Sequence, residues 1–140
     1  MIARVMQPGC LVKTVPILEG DQDGYKSTAC RILGEPWSSD TLADPGSKDS
    51  YQDLRGKWLI ELGELAAMSR AEVGELKHFI SKPVDNYRES YGRRNRDVPR
   101  QCVFVGTTNG SEYLVDSTGA SRFLPIKTGR IDIDRLLADR

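Results

Sequence analysis

An α/β fold, with a mainly parallel sheet flanked by helices, is predicted by three runs that each end in residues able to do chemistry. Residues 14–19 are short, apolar and partly β-branched, and they feed a glycine-containing loop that opens a helix. Trp58-Leu59-Ile60 runs into Glu61. Residues 101–109, Gln-Cys-Val-Phe-Val-Gly-Thr-Thr-Asn, form an uninterrupted β-rich run with a polar tip. Such a run suits a strand covered on both faces, as in the centre of a parallel sheet, and ligands of open α/β sheets bind beyond the carboxyl ends of the strands.

In chain order, the strand over 14–19 carries one adverse residue, Pro16, which cannot donate to a ladder. A helix follows over 26–33. Residues 35–57 are rich in Pro, Ser, Asp and Gly and read mostly as loop, with the Trp37 region packed near the first helix. Around Glu61 two readings stand open: a strand ending in an acid, or an amphipathic helix, since Glu61, Leu62, Glu64 and Leu65 also have helical spacing. A helix over 71–80 begins at a Ser69 cap, presents Val73, Leu76 and Ile80 on one face, and stops at Ser81-Lys82-Pro83. Beyond 101–109, Asn109-Gly110 suits a hairpin turn into 112–115. A short strand over 122–126 and the start of a helix over 131–140 close the chain.

The first loop carries the sharpest chemical signal. Residues 19–30 read Glu-Gly-Asp-Gln-Asp-Gly-Tyr-Lys-Ser-Thr-Ala-Cys. In the phosphate-binding pattern G-x-x-x-x-G-K-[ST], backbone N–H groups wrap the phosphates, the lysine reaches the outer ones and the hydroxyl ligates magnesium. Gly20, Lys26 and Ser27 occupy the first, seventh and eighth positions, whereas the sixth is Tyr25 and a glycine stands one place earlier as Gly24. A side chain at the sixth position is expected to obstruct backbone approach and to resist positive φ. Gly20, Gly24, Lys26, Ser27 and Thr28 form the candidate nucleotide-binding set. The competing reading is a solvated Asp/Gly turn that happens to end in Lys-Ser. At Glu61 and Glu64, carboxylates stand where a phosphoryl-transfer site needs one for magnesium and one to polarise water; an amide at Asn109 would orient water near a terminal phosphate.

These elements occur in the order of a known family. The chain resembles the virulence-associated E family of P-loop proteins, found in phages and integrated mobile elements and related to primase-helicases. The resemblance begins at Gln7-Pro8-Gly9-Cys10 and continues through Leu18-Glu19-Gly20, Gln22 and Lys26-Ser27-Thr28. It resumes at Trp37-Ser38-Ser39-Asp40, residues 58–65, Leu76-Lys77, Phe79, Arg88, Tyr91 and Arg100, and closes on Gly106-Thr107-Thr108-Asn109, Asp116, Gly119 and Arg122-Phe123-Leu124-Pro125. It implies a P-loop ATPase core that uses ATP and Mg²⁺, with Lys26 and Ser27 as Walker A residues, Glu61 and Glu64 as Walker B acids, and Asn109 as a γ-phosphate sensor. Arg122 would be an arginine finger supplied to a neighbouring subunit. Relatives usually have glycine at Asp23 and Tyr25, and often a first arginine at Ser121. The first departure bears on nucleotide affinity, the second on subunit-coupled hydrolysis.

Composition excludes little and fits one domain. With 39% hydrophobic and 29% charged residues the 140-residue chain is ordinary for a globular protein, and its zero formal charge gives no global basic field toward nucleic acid. No apolar stretch approaches membrane-spanning length and no signal-peptide core is visible, so a cytoplasmic setting is expected. Cys10, Cys30 and Cys102 lack metal-ligand or disulfide spacing and read as reduced and structural. His78, the only histidine, has no partners for a catalytic role.

Charge is local instead. Between Tyr87 and Arg100 lie Arg88, Arg93, Arg94, Arg96 and Arg100 against Glu89 and Asp97, with Tyr87 and Tyr91 interleaved. Arginines meet phosphates bidentately and tyrosines stack on bases, which suits single-stranded nucleic acid. A solvated basic loop, or arginines reaching a neighbouring subunit's ATP, are the alternatives. The expectation is therefore a helicase-like, DNA-translocating ATPase in a homo-oligomeric ring on single-stranded or forked DNA, with a primase-like region or partner. Two rivals stand beside it: a catalytically degenerate remnant serving as a DNA-binding or assembly module, and a small-molecule kinase without a visible acceptor site. The chain begins just before the first strand and ends just after the candidate finger, so a core incomplete at both ends is expected alongside a minimal or degenerate one.

Overall fold

The computed structural model describes residues 2–63, 65, 68–90, 92–110 and 122–139. In order these form α1 (Ile2–Met6), β1 (Val15–Glu19), α2 (Lys26–Gly34), β2 (Ser38–Ser39), α3 (Lys48–Asp53), β3 (Leu59–Leu62), α4 (Arg70–Ser81), β4 (Val84–Tyr87), β5 (Arg96–Pro99), β6 (Val103–Thr108), β7 (Phe123–Lys127) and α5 (Ile133–Ala138). Five strands make one parallel sheet in the order β2-β3-β6-β1-β7, while β4 and β5 pair antiparallel as a separate hairpin. The fold is the expected α/β core with helices flanking a parallel sheet.

β6 occupies the centre and every one of its residues is buried, which is why its sequence shows no polar alternation. Ile17 pairs with Gly106 on one side of β1 and with Pro125 on the other. The β6 ladder begins only at Ile17, one residue past Pro16, so the missing N–H does not interrupt that ladder. Packing at the centre is tight. A Cβ on Gly106 would lie 2.4 Å from Ile17 Cδ1 and 2.5 Å from Leu65 Cδ1, leaving room for glycine alone.

α4 covers the sheet with the face its periodicity predicts. Val73, Leu76, Phe79 and Ile80 share one core with Val15, Ile17, Ile60, Leu62, Phe104 and Phe123, each fully buried apolar side chain contributing about 1.5–3 kcal/mol. Its start is a capping box: Ser69 accepts from Glu72 N and Glu72 accepts from Ser69 N. These bonds hold the Glu72 carboxyl below its usual range. His78 lies on the exposed side.

Glu61 lies in β3, so the strand reading holds and the helical one does not. The segment 35–57 is less loop-like than its composition suggests. Ser39 pairs with Ile60, which makes β2 a strand by partnership alone, and Ser47 caps α3 by accepting from Ser50 N. The hairpin β4–β5 and the short α1 carry no periodic signal. Glu64, Tyr91, Asp116, Gly119, Ser121 and the turn partner 112–115 lie outside the described residues. Among the described residues no helix is long and apolar enough to cross a membrane.

Two buried arginines replace apolar residues in the core. Arg4 donates to Cys10 O at 2.9 Å and Val12 O at 3.0 Å, tying α1 to the segment that leads into β1. Arg100 is 2% exposed; it pairs with Asp85, donates to Phe79 O, and packs its guanidinium 4.5 Å from the Phe79 ring centroid. Removing one partner of a buried pair strands the other charge. Asp85→Ala is expected to lower unfolding free energy by about 3–5 kcal/mol in urea titrations, and the double change Asp85→Leu with Arg100→Met to recover much of that loss.

Candidate functional site

Parallel pairing brings three strand ends to one edge of the sheet. Glu19 is level with Thr108, and Leu62 with Gly106. The loop after β1, the acid of β3 and the tip of β6 therefore surround a single cleft of about 700 Å³, whose walls include Gly24, Lys26, Ser27, Glu61, Thr107 and Asn109.

Lys26 opens α2 yet is only 6% exposed. Its Nζ donates to Gly20 O at 2.9 Å, Asp21 O at 2.7 Å and Asn109 Oδ1 at 3.0 Å. All three ammonium donors are used, and the lysine links the loop to the end of β6. Ser27 Oγ donates to Glu61 Oε1 at 2.5 Å, and Thr107 Oγ1 donates to the same oxygen at 2.8 Å. Glu61 pairs in register with Val105, and strand alternation returns Thr107 to the side of β6 that Val105 occupies. Magnesium prefers hard oxygen donors and is held by one or two carboxylates together with phosphate oxygens. Ser27, Glu61 and Thr107 fit that donor chemistry, whereas no cluster of three or more His, Cys, Asp or Glu able to form an all-protein cage exists among the described residues.

The altered loop keeps a glycine-like backbone. Asp23 and Tyr25 adopt φ of 62° and 61°, the left-handed region that costs an ordinary residue about 1–2 kcal/mol. Tyr25 thus takes the conformation its side chain was expected to resist. Its ring is held outside the lysine network by Arg130, whose guanidinium lies 5.0 Å from the ring centroid and donates to Tyr25 Oη at 3.0 Å. Close packing also fixes the loop from behind. A Cβ on Gly20 would meet Thr128 O at 2.6 Å, and Ile131 N donates to Gly24 O at 3.1 Å.

Other predicted residues divide between the two ends of the sheet. Thr28 lines the cleft from α2. Arg122 directly precedes β7, whose first residue pairs with Val15, the first of β1; a five-residue strand, about 16 Å long, separates that end from the cleft. Arg88, Arg93, Arg94 and Arg96 are all exposed and belong to the β4–β5 hairpin. Arg96 and Arg55 both approach Glu89, at 3.5 and 2.9 Å. Two members of the basic block are not available to a ligand: Arg100 is buried with Asp85, and Tyr87 is buried and stacked on Tyr51.

Sequence reasoning gave Thr107 and Arg130 no role. The Gly-Thr-Thr-Asn tip contained the signal for Thr107, but Arg130 meets Tyr25 across 105 residues and had none. Cys10, Cys30 and Cys102 are free. Burial, then the Glu61 charge, pushes the Cys30 thiol up to about 12, so it borders the site as a protonated, inert group.

Among curated proteins no sequence matches the chain. In structure it is similar to the C-terminal region of NrS-1, in its apo A form, with a TM-score of 0.65 and 16% identity over 98% of this chain. The chain spans 35% of that structure, and at this identity the likeness speaks for the fold. A family model described as the virulence-associated protein E-like domain matches residues 1–140. The family that the motifs pointed to is therefore the one to which this chain belongs: it is a virulence-associated protein E-like domain.

Proposed function

We propose that this domain is the ATP-hydrolysing core of a phage or mobile-element replication protein, a helicase-like translocase acting as a homo-oligomeric ring on single-stranded or forked DNA. The observation that carries the reading is the meeting of Lys26, Asn109, Ser27, Glu61 and Thr107 at one sheet edge, joined by hydrogen bonds of 2.5–3.0 Å. In this reading Lys26 leaves its loop carbonyls to neutralise β/γ-phosphate charge. Ser27 and Glu61 hold magnesium, which would supply charge neutralisation of the phosphates. Asn109 contacts the terminal phosphate and orients water, with Glu64 as its acidic partner. Arg122 of one subunit stabilises transition-state charge in the next, because its own cleft is a strand length away. The exposed arginines of the β4–β5 hairpin contact the DNA backbone.

A second reading has one observation in its favour: all three Lys26 donors are already satisfied by the chain's own oxygens. A loop complete without phosphate suits a degenerate assembly or DNA-binding module.

Calorimetry with magnesium and ATP separates the two readings. The wild-type chain is expected to bind, and Lys26→Ala to weaken binding by at least about 100-fold with an unchanged circular dichroism spectrum; folded wild type that binds no ATP would support the module instead. Arg122→Ala is expected to keep ATP affinity and lose about 10³–10⁵ in turnover. Mixing it with Lys26→Ala protein restores turnover at mixed interfaces if the finger acts in trans, whereas normal turnover in Arg122→Ala alone contradicts the assignment. For DNA, the Arg93→Ala, Arg94→Ala double variant should reduce the salt slope of single-stranded DNA affinity by about 1.4, from ~0.7 per lost phosphate contact. Fluorescence anisotropy across a salt series measures it, and an unchanged slope removes the hairpin from the interface.

A further inference from the structure

The Tyr25–Arg130 pair has no part in the phosphate chemistry above, and it borders a second cavity. This pocket, about 590 Å³, lies between the start of α2 and the segment following β7, with Tyr25, Thr28, Arg130, Ile131, Asp132 and Asp134 in its walls. Tyr25 and Thr28 also line the phosphate cleft. The two cavities thus flank the same two residues at the start of α2, so that a ligand with its phosphates on the loop has this pocket as its immediate neighbour.

We infer that this pocket binds the base of the nucleoside triphosphate, with the Tyr25–Arg130 pair as its stacking platform and the carboxylates of Asp132 and Asp134 selecting a base that carries an amino group. The inference rests on the phosphate-loop reading and deepens it. Three features support it. Tyr25 is 41% exposed although its ring is engaged by Arg130, so the aromatic–guanidinium pair leaves surface for a base, and both aromatic rings and arginine planes are surfaces on which bases stack. The pocket's charges are one guanidinium and two carboxylates; two carboxylates repel a phosphate tail but accept N–H bonds from a neutral base. Asp132 Oδ1 is occupied by Arg135 N at 3.0 Å as the cap of α5, which leaves the other Asp132 oxygen and Asp134 as acceptors. The pocket is also built in advance of any ligand: Ile131 N bonds Gly24 O at 3.1 Å, and Gly20 packs on Thr128.

The test is calorimetry on the full chain with magnesium and three ligands: ATP, UTP and tripolyphosphate. Wild type is expected to bind ATP about tenfold or more tighter than tripolyphosphate, a difference within the range of one stacked base, with UTP weaker than ATP. Arg130→Ala is expected to bring ATP to within about threefold of tripolyphosphate, the loop backbone being still held by the Ile131–Gly24 bond and the Gly20–Thr128 contact. Tyr25→Gly, which removes the ring and keeps positive φ without strain, is expected to lower the ATP-to-tripolyphosphate ratio in the same way. If Tyr25 merely blocked the loop, both ligands would gain together. Equal affinity for ATP and tripolyphosphate in wild type overturns the inference, as does an Arg130→Ala variant that loses both ligands alike, or UTP that binds as tightly as ATP. Binding of neither ligand to folded wild type overturns the phosphate-loop reading itself and this inference with it.

Discussion

The placement of β6 between β1 and β3 is the constraint on which the cleft depends. Strands stand about 4.8 Å apart, so β1 and β3 are separated by roughly twice that. The start of α2 and the acid of β3 thus face each other across a gap that β6 floors with Thr107 and closes with Asn109. Glu61 Oε1 records the geometry: one oxygen accepts from Ser27 of the first helix and from Thr107 of the central strand. A one-residue slip of β3 would turn Glu61 to the opposite face. The register is held by the packing of Ile60 and Leu62 in the core and by the glycine-only contact of Gly106 with Ile17 and Leu65. Chemistry at the edge is in this sense a consequence of apolar packing at the centre.

The loop after β1 shows how neighbours can impose a shape that sequence alone does not encode. Asp23 and Tyr25 hold left-handed backbone where glycine would hold it without cost. What sustains them comes from after β7: Thr128 against Gly20, Ile131 bonded to Gly24, Arg130 on the Tyr25 ring. Residues held in sparsely populated backbone regions persist only where their surroundings over-determine them, and here the surroundings form one continuous segment.

Legibility in the sequence followed burial symmetry. β1, β6, α2 and α4 were readable because their residues are either buried on all sides or periodic, and Ser69 with Glu72 marked the start of α4. Glu61 was ambiguous because a four-residue strand followed by Glu64 and Leu65 fits two periods at once; only pairing with Val103, Phe104 and Val105 resolves it. The hairpin was hidden by an inverted pattern. In β4 it is Asp85 and Tyr87 that are buried while Val84 is exposed, so the charged residue sits where an apolar one is expected. That inversion exists because Arg100, counted by sequence among the solvent-facing arginines, needs Asp85 inside. The lysine, serine and acid of the site could be named in advance from their chemistry, but Thr107 as second donor to Glu61, and Arg130 as the partner of Tyr25, follow from distances that no local pattern carries.

The sheet has a direction, and under the proposed function that direction bears on how hydrolysis would be coupled to movement. The hydrogen-bonded cleft lies at the carboxyl ends of β1, β3 and β6, whereas Arg122 precedes the amino end of β7 and the β4–β5 hairpin leads by a three-residue link into the amino end of β6. A side chain at one end cannot touch phosphates at the other within a single subunit. A second copy, turned so that its Arg122 end meets this cleft, would bring the finger to the nucleotide and leave each hairpin joined to the strand whose far tip carries Asn109. β6 would then be the rigid element between phosphate and DNA: Asn109 bonded to Lys26 at one end, and Arg100, anchored by Asp85 beneath the hairpin, at the other. Weakening the Arg100–Asp85 pair without unfolding the domain, as by Asp85→Asn, should accordingly disturb the DNA response of turnover more than ATP affinity itself.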